Sequence, residues 1–168
     1  SMDLNLDFVR DFVRPAAPTG SAAFNIRFNA STIHRLIHWF NPTIFHEMND
    51  NTILGDFQEF MQHTQLIILD EFSMVGRQMM GRIDSRLHQA KADTNLQDND
   101  LGGLSCVCAG DPAQCEAIHD QQPYNLQPHP ETILNPKAQK VLLSNQGLAI
   151  YDQFEHVIVL TTCHRLAT

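Results

Sequence analysis

Two kinds of hydrophobic pattern alternate along this chain. Short uninterrupted apolar runs predict strands buried on both faces, as in a parallel sheet, and longer amphipathic runs predict helices. The clearest apolar run is Leu66–Leu69, and further strands are predicted over 12–17, 104–109 and 157–160. Because helical patterns separate these strands, we expect an α/β fold with a parallel sheet.

The amphipathic runs predict helices over four main ranges: 31–40, 52–63, 76–91 and 136–154. Ser31 or Thr32 is suited to cap the first of these, and Pro136 suits the first position of the last. Pro15 lies inside the first predicted strand, which indicates an irregular or edge strand because proline has no N–H for the ladder.

Two adjacent carboxylates, Asp70 and Glu71, follow the Leu66–Leu69 strand directly. Open α/β folds bind their ligands in the crevice at the carboxyl ends of the strands. One carboxylate of such a pair can hold a hydrated Mg²⁺ beside a nucleotide's phosphates, and the other can orient or deprotonate an attacking water. A strand followed by an ordinary acidic turn is the alternative interpretation.

Other predicted strands deliver polar residues to the same edge. Asp111 and Gln114 follow the 104–109 strand, and Arg165 follows the 157–160 strand. Because carboxyl ends of parallel strands meet at one edge of a sheet, we expect these side chains near Asp70 and Glu71.

A turn with exposed hydroxyls follows the first strand. Pro18, Thr19 and Gly20 precede a short helix, and hydroxyl and N–H groups at a strand end can bind phosphate. A capped strand-to-helix connection is the alternative. Farther along, Thr32 and His34 begin the next helix, and His34 lies beside Arg35, which makes it a candidate phosphate contact.

Composition narrows the classes of function. The chain has 168 residues, 43% of them hydrophobic, and a net charge of −8 from 11 basic and 19 acidic residues. The length and the hydrophobic content are typical of one globular domain. The acidic net charge argues against a free-standing nucleic-acid binder, which usually carries a basic face. No apolar run approaches the ~18 residues of a membrane helix, and no signal-peptide pattern is present. Ser1-Met2 has the form of a cloning scar before an internal segment.

The cysteines are expected to be small buried thiols. Cys106 and Cys108 lie two residues apart on a predicted strand and so share a face. A zinc site with Cys115 and His119 is the alternative, but their spacing fits no common zinc pattern.

The order of these motifs resembles one known family. Ala-Pro-Thr-Gly-Ser-Ala-Ala-Phe-Asn-Ile, Ser-Thr-Ile-His-Arg-Leu, Leu-Asp-Glu-Phe-Ser-Met-Val-Gly and Gly-Asp-Pro-Ala-Gln are followed by a strand that leads to Arg165. This succession resembles the petite-integration-frequency type of superfamily-one DNA helicases, including the helicase domains of Helitron transposons. The resemblance covers about Phe12 to Arg165. It implies a parallel-sheet RecA-like P-loop NTPase fold, truncated at its N-terminus, with residues 1–168 forming part of the first motor domain.

The resemblance implies roles for matching residues. Asp70 would bind Mg²⁺, Glu71 would be the catalytic base, and Gln114 would sense the γ-phosphate. Arg165 would stabilise charge in the transition state, and these four residues are the expected contacts to ATP. The nucleic-acid contacts that the resemblance implies are Pro18, Thr19, Gly20, Thr32 and His34, which would hold the backbone of single-stranded DNA.

Two departures from the family pattern are visible. Gly-Asp-Pro-Ala-Gln continues with Cys115-Glu116-Ala117 where the family has Leu-Pro-Pro. No glycine here is followed by lysine, so the phosphate loop Gly-x-x-x-x-Gly-Lys-Ser/Thr is missing. We therefore expect a fragment of a longer protein, with very weak nucleotide binding and no ATPase activity of its own. In the family the phosphate-loop strand lies beside the Asp-Glu strand, so we also expect an exposed sheet edge that promotes self-association.

The leading hypothesis is an ATP-dependent DNA helicase that couples ATP hydrolysis to translocation on single-stranded DNA and to duplex unwinding. The resemblance implies a nuclear protein of DNA repair, recombination, telomere or transposon maintenance, with the mitochondrion as the alternative location. A non-catalytic helicase-like domain that binds proteins is the second hypothesis. A metal-dependent nuclease or phosphatase built on Asp70, Glu71 and a nearby histidine is the third.

Overall fold

The computed structural model describes residues 6–41, 44–92, 94–96, 98–127 and 138–162. The helices are α1 Leu6–Phe12, α2 Gly20–Ile26, α3 Ile33–Leu36, α4 Asn51–Met61, α5 Arg77–Ala90 and α6 Ala138–Asp152. The strands are β1 Val13–Ala17, β2 Ser31–Thr32, β3 Leu66–Leu69 and β4 Ser105–Cys108. No helix of the described part is long and apolar enough to cross a membrane.

The strands form one parallel sheet in the order β2-β1-β3-β4. The predicted α/β fold with a parallel sheet is therefore confirmed. The register pairs Leu69 at the end of β3 with Ala16 of β1 and with Cys108 of β4. Because these strands end level with one another, the turns that follow them leave the sheet at the same edge.

The Asp-Glu strand is not at an edge of the sheet. β3 pairs with β1 on one side and with β4 on the other. The expectation that a missing strand would lie directly beside β3 is therefore wrong for the described sheet, whose two open edges are β2 and β4.

The predicted strand over 157–160 is absent from the structure. This segment forms neither helix nor strand, and its four apolar side chains are 75–89% exposed. An apolar run forms a strand only where a neighbouring strand satisfies its N–H and C=O groups. None of the four described strands does so here.

Two further strand predictions need correction. β4 is an exposed edge strand, with Val107 49% exposed, and β3 buries Ile67 and Leu69 fully but Leu66 and Ile68 only in part. Pro15 lies in an inner strand, because β1 is paired on both sides. Gln65 and Asp70, which flank β3, donate to the carbonyls of Phe12 and Ala16, so Pro15 faces the β2 side, where pairing begins only at Ala16. The proline therefore occupies a position at which no partner strand needs its missing N–H.

The helices match their predicted positions where the pattern was long. α4 and α5 lie within two residues of the predicted bounds, and Asp50 caps α4 by accepting hydrogen bonds from the backbone N–H groups of Thr52 and Ile53 at 2.9 and 3.2 Å. The predicted helix over 31–40 is reduced to α3, since Ser31 and Thr32 pair with β1 instead. The predicted start of α6 at Pro136 lies outside the described residues.

A close contact between two helix backbones holds α5 against α6. A Cβ atom on Gly81 would overlap the carbonyl of Leu143, and a Cβ atom on Gly147 would overlap the carbonyl of Arg77. Each glycine thus lies directly against the backbone of the other helix. The contact adjoins the main core, to which α5 contributes Met80, Ile83 and Leu87 and α6 contributes Leu143 and Ile150.

We predict that Gly147→Ala lowers the free energy of unfolding by about 1–3 kcal/mol, because the added methyl group forces α5 and α6 apart. The measurement is urea unfolding followed by circular dichroism. Gly55→Ala on α4 is the matched control, since its Cβ would have nothing within 4 Å. The control is expected to gain about 0.5–1 kcal/mol from the better helix propensity of alanine. Equal gains in both variants would contradict the close packing.

Candidate functional site

The Asp70–Glu71 turn lies at the carboxyl end of β3. The backbone N–H of Asp70 still continues the sheet by donating to the carbonyl of Ala16 at 2.9 Å. Glu71 then takes a left-handed conformation with φ 52° and ψ 43°, and a short 3-10 turn, Phe72–Met74, follows. Both carboxylate residues are half-buried. A glutamate with positive φ stores ~1–3 kcal/mol of backbone strain, and such strain is concentrated at functional sites.

The end of β4 is packed onto this turn. Gly110 follows β4, and a Cβ atom there would lie 2.7 Å from the backbone nitrogen of Phe72. Phe72 donates its N–H to the carbonyl of Ala109 at 2.9 Å. Only glycine permits this approach without displacing the Asp-Glu turn.

Gln114 belongs to a tight turn directly after Gly110. Its side chain donates to a carboxylate oxygen of Asp111 at 3.1 Å, and its backbone N–H donates to the Asp111 carbonyl at 3.0 Å. Both side chains are exposed. The Gln114 turn therefore follows Gly110, the residue that lies against the backbone of the Asp70–Glu71 turn. Arg165, the remaining residue predicted for this edge, lies outside the described residues.

The residues at this edge suit Mg²⁺ better than a metal enclosed by protein ligands. Asp70 offers one half-buried carboxylate, and Mg²⁺ is usually held by one or two carboxylates together with waters and substrate phosphates. Within the described ranges, no group of three or more His, Cys, Asp or Glu side chains could hold a metal ion.

The cysteines of the described part are free thiols. The Sγ atoms of Cys106 and Cys108 lie 4.0 Å apart, and both residues are half-buried, whereas Cys115 is exposed. The hydrogen bond between Cys106 and Cys108, together with burial, raises the pKa of the Cys108 thiol well above its usual range.

A buried arginine, which the sequence did not predict, fixes the turns around the site. Arg77 opens α5 and is fully buried, and its hydrogen-bond partners among the described residues are all neutral. The acceptors are five oxygens, from Gln121, Asn125, Gln127, Ser144 and Asn145, at 2.7–3.3 Å. They come from the loop after Gln114 and from α6, so one side chain ties three segments together.

Two further contacts support the same region. Asp120 accepts hydrogen bonds from the backbone N–H groups of Gln78 and Met79 at 2.9 and 3.3 Å and so caps the start of α5. The ring of Phe72 stacks on Tyr151 of α6, with centroids 5.9 Å apart. Contacts with α5 and α6 therefore hold this edge of the sheet in place.

The segments predicted to contact DNA come together on the other side of β1. Pro18, Thr19 and Gly20 follow β1, and Thr32 ends β2, which is paired with β1 through Ala17. Thr19 caps α2 and Thr32 caps α3, through hydroxyl oxygens that accept from Ala22 N–H and Arg35 N–H at 3.2 and 3.4 Å. The two hydroxyl-bearing turns therefore leave the sheet side by side, one strand away from Asp70.

His34 is held in a stack of rings. Its imidazole stacks on Trp39 with centroids 4.9 Å apart, and the Arg82 guanidinium lies 4.8 Å from the centre of the Trp39 ring. Burial, and to a smaller extent the charge of Arg82, lowers the pKa of His34 below 6.5. His34 is thus a neutral N–H donor at pH 7. Trp39 and Arg82 position this ring. Nothing in the sequence distinguishes them from an ordinary core residue and an ordinary surface residue.

The comparisons agree with this geometry. The sequence profile of an AAA domain family matches residues 11–131. No curated protein matches the chain significantly.

Among solved structures, Pif1 helicases match along most of the chain. One, solved in a study of DNA unwinding at forked double-stranded DNA by two coordinating Pif1 helicases, is 26% identical over 70% of this chain, with a TM-score of 0.52. Pif1 from Bacteroides sp., unliganded and in complex with ADP-AlF4, is 27% identical over 70% of this chain, with a TM-score of 0.50 in each case. The chain spans only 26–28% of the length of these structures. The resemblance to petite-integration-frequency (Pif1) helicases and the RecA-like fold are confirmed.

We predict that the free energy of unfolding decreases as the pH falls below about 6.5, because the folded state holds His34 with a lowered pKa. The pKa of His38 is also lowered, by burial and then by Arg86, against an opposing effect of Asp56. The unfolded chain then binds protons that the folded chain does not, so stability is complete above pH 6.5 and is lost on acidification. Urea unfolding at pH 7.5 and 5.5 measures this. His34→Gln should show a smaller pH dependence than the wild type, and an unchanged dependence would contradict the assignment.

Proposed function

The chain belongs to the AAA domain family, and we propose that it forms part of an ATP-dependent DNA helicase of the Pif1 type. The whole protein would couple ATP hydrolysis to translocation on single-stranded DNA and to unwinding of duplex DNA. The observation that carries this proposal is the packing of the Gly110–Gln114 turn against the Asp70–Glu71 turn. In this arrangement Gly110, which leads into the Gln114 turn, lies against the backbone of the carboxylate pair at the ligand-binding edge of a parallel sheet.

We assign the chemistry to residues of this edge. Asp70 would hold Mg²⁺, which when bound neutralises developing charge on the transferred phosphoryl group. Glu71 would orient and deprotonate the attacking water. Gln114, which lies on an exposed turn attached to the Asp-Glu turn, would respond to the γ-phosphate. Arg165 is proposed, from the motif alone, to stabilise the transition state.

We assign DNA binding to the turns on the other side of β1. Pro18, Thr19 and Gly20 lie beside Thr32 through the Ala17–Thr32 pairing, and His34 follows within α3. Neutral hydroxyl and imidazole donors hold a strand's phosphates without reading its sequence. The net charge of −8 means that other parts of a longer protein would have to supply most of the positive charge.

Two observations support a second candidate function. The apolar segment 157–160 is 75–89% exposed, and β4 offers an open sheet edge. Both features favour protein contact, as expected for a non-catalytic helicase-like module that binds other proteins. We regard self-association as the simplest form of such contact. A nuclear location, with the mitochondrion as the alternative, and roles in DNA repair, recombination or telomere or transposon maintenance remain part of the proposal.

We predict that a longer protein containing an upstream phosphate loop hydrolyses ATP, faster with single-stranded DNA present, and that Glu71→Gln lowers turnover by ~10²–10⁴-fold. The reason is that glutamine can hold a water but cannot accept its proton. A coupled ATPase assay measures both. Glu59→Gln is the matched control, since Glu59 is an exposed carboxylate on α4 and its loss should leave turnover unchanged.

Measuring the affinity of the longer protein and of its Glu71→Gln variant for ATP separates a loss of catalysis from a loss of nucleotide binding. Glu71→Gln should still bind ATP, because the charge of Asp70 remains. A folded longer protein that binds no nucleotide and shows no turnover would contradict the helicase proposal and favour the protein-binding module.

We predict that the chain self-associates and that Val107→Lys weakens this association, since a lysine on an edge strand opposes strand pairing. Sedimentation velocity over a range of concentrations measures it. Leu142→Lys, on the exposed face of α6, is the control for adding a charge at an exposed apolar residue and should associate like the wild type. A monomer at all concentrations would contradict the prediction.

A further inference from the structure

A cleft opens beside the DNA-binding turns, away from the carboxylates. It has a volume of about 530 Å³, and its lining includes Gly20 and Thr32. Three phenylalanines and two arginines also line it, and we call it the aromatic cleft: Phe24, Phe40, Phe60, Arg14 and Arg35. The volume lies in the range of pockets that enclose small organic ligands.

The aromatic side chains of the cleft are unusually open to solvent. Phe24 on α2 is 81% exposed and Phe40, just beyond α3, is 71% exposed. The His38 ring lies between Phe40 and Phe60, with centroids 5.5 and 5.2 Å away. Exposed rings grouped around one cavity offer flat apolar faces to a flat ligand. Phe24 and Phe40 lie outside the core cluster, whereas Phe60 is partly buried and packs against it.

The charge of the cleft differs from that of the chain. Its described lining contains Arg14 and Arg35 and no carboxylate, although the chain as a whole carries a net charge of −8. Arg14 is held in place, because its guanidinium donates to the Phe60 carbonyl at 2.9 Å and lies 4.1 Å from the centre of the Phe60 ring. Arg35 is exposed. The cleft thus combines aromatic faces with local positive charge.

A neighbouring depression limits the cleft on one side. It shares Arg14 and Phe60 with the cleft but is lined by Asp11, Asp56 and Glu59. The carboxylates of this depression repel phosphates. A polyanion bound in the cleft is therefore expected to extend out of it on the side of Arg35 and Thr32. This is the side on which the hydroxyl-bearing turns lie.

We propose that the aromatic cleft holds an unstacked base of single-stranded DNA, next to the turns that hold its backbone. Stacking on exposed aromatic rings combined with arginine is how single strands are bound without sequence preference. The proposal rests on the DNA-binding part of the proposed function and assigns Phe24 and Phe40 to base contact. Neither residue belongs to the predicted backbone contacts.

The test compares two oligomers by fluorescence anisotropy, using the chain as it stands. One is labelled oligothymidylate of about 12 nucleotides, and the other is an abasic oligomer of equal length, which keeps the phosphates and lacks the bases. Wild type should bind oligothymidylate more tightly. Phe24→Ala and Phe40→Ala should each weaken that binding by about five-fold to about a hundred-fold and leave binding of the abasic oligomer unchanged.

Matched variants separate stacking from loss of apolar surface. Leu142→Ala removes an exposed apolar side chain from α6, far along the chain from the cleft, and should bind both oligomers like the wild type. Phe40→Leu keeps an apolar side chain but lacks the ring, and should bind oligothymidylate like Phe40→Ala. Urea unfolding of each variant confirms that the fold is retained, as expected for side chains this exposed.

The outcomes distinguish this proposal from the one on which it rests. Equal affinity of wild type for the two oligomers would overturn the base-binding cleft and leave DNA binding intact. Binding of neither oligomer at low salt, where the arginines of the cleft are least screened, would overturn both. Full competition by thymidine monophosphate, at the same concentration of nucleotide units, would show that the cleft takes a free nucleotide and would also overturn the proposal.

Discussion

The burial of the Arg77 guanidinium is the constraint on which the rest of the structure depends. A fully buried cation is tolerated only when every donor has an acceptor, and here the acceptors are carbonyl and amide oxygens from two separate parts of the chain. Removing one partner would leave an N–H group of this buried guanidinium short of an acceptor, which is costly. The loop after Gln114, the start of α5 and the middle of α6 are therefore fixed relative to one another.

The candidate site uses this fixed base. The Asp70–Glu71 turn leads into α5 within six residues, and Gly110 presses the end of β4 against that turn. The parallel register then brings the carboxyl ends of β1, β3 and β4 to one level. The backbone contact of Gly110 thus lies directly on the turn in which Glu71 has a strained conformation. The Trp39 ring links His34 to Arg82 of α5. Both the Asp70–Glu71 turn and the turns assigned to DNA binding are therefore connected to this one helix.

The sequence predicted the parts of the fold that local patterns determine. β3 and α5 have regular apolar patterns, and both elements are found where the sequence predicts them. The polar turns after β1 and β3 are also found at their predicted positions. The 157–160 segment shows the limit of this reasoning, because its apolar pattern says nothing about which strand would pair with it. Arg77 and Trp39 could not be identified for the same reason. Their partners lie 5 to 68 residues away along the chain, and only the folded structure brings them together.

The glycine contact between α5 and α6 has a geometric consequence for the chain beyond α6. Because Gly81 and Gly147 fix α6 to α5, the last helical residue, Asp152, is a fixed anchor point. Val157 follows five residues later, and five extended residues span at most about 18 Å. The exposed apolar segment therefore begins within about 18 Å of the end of α6. Whatever strand or surface it meets has to come within that reach.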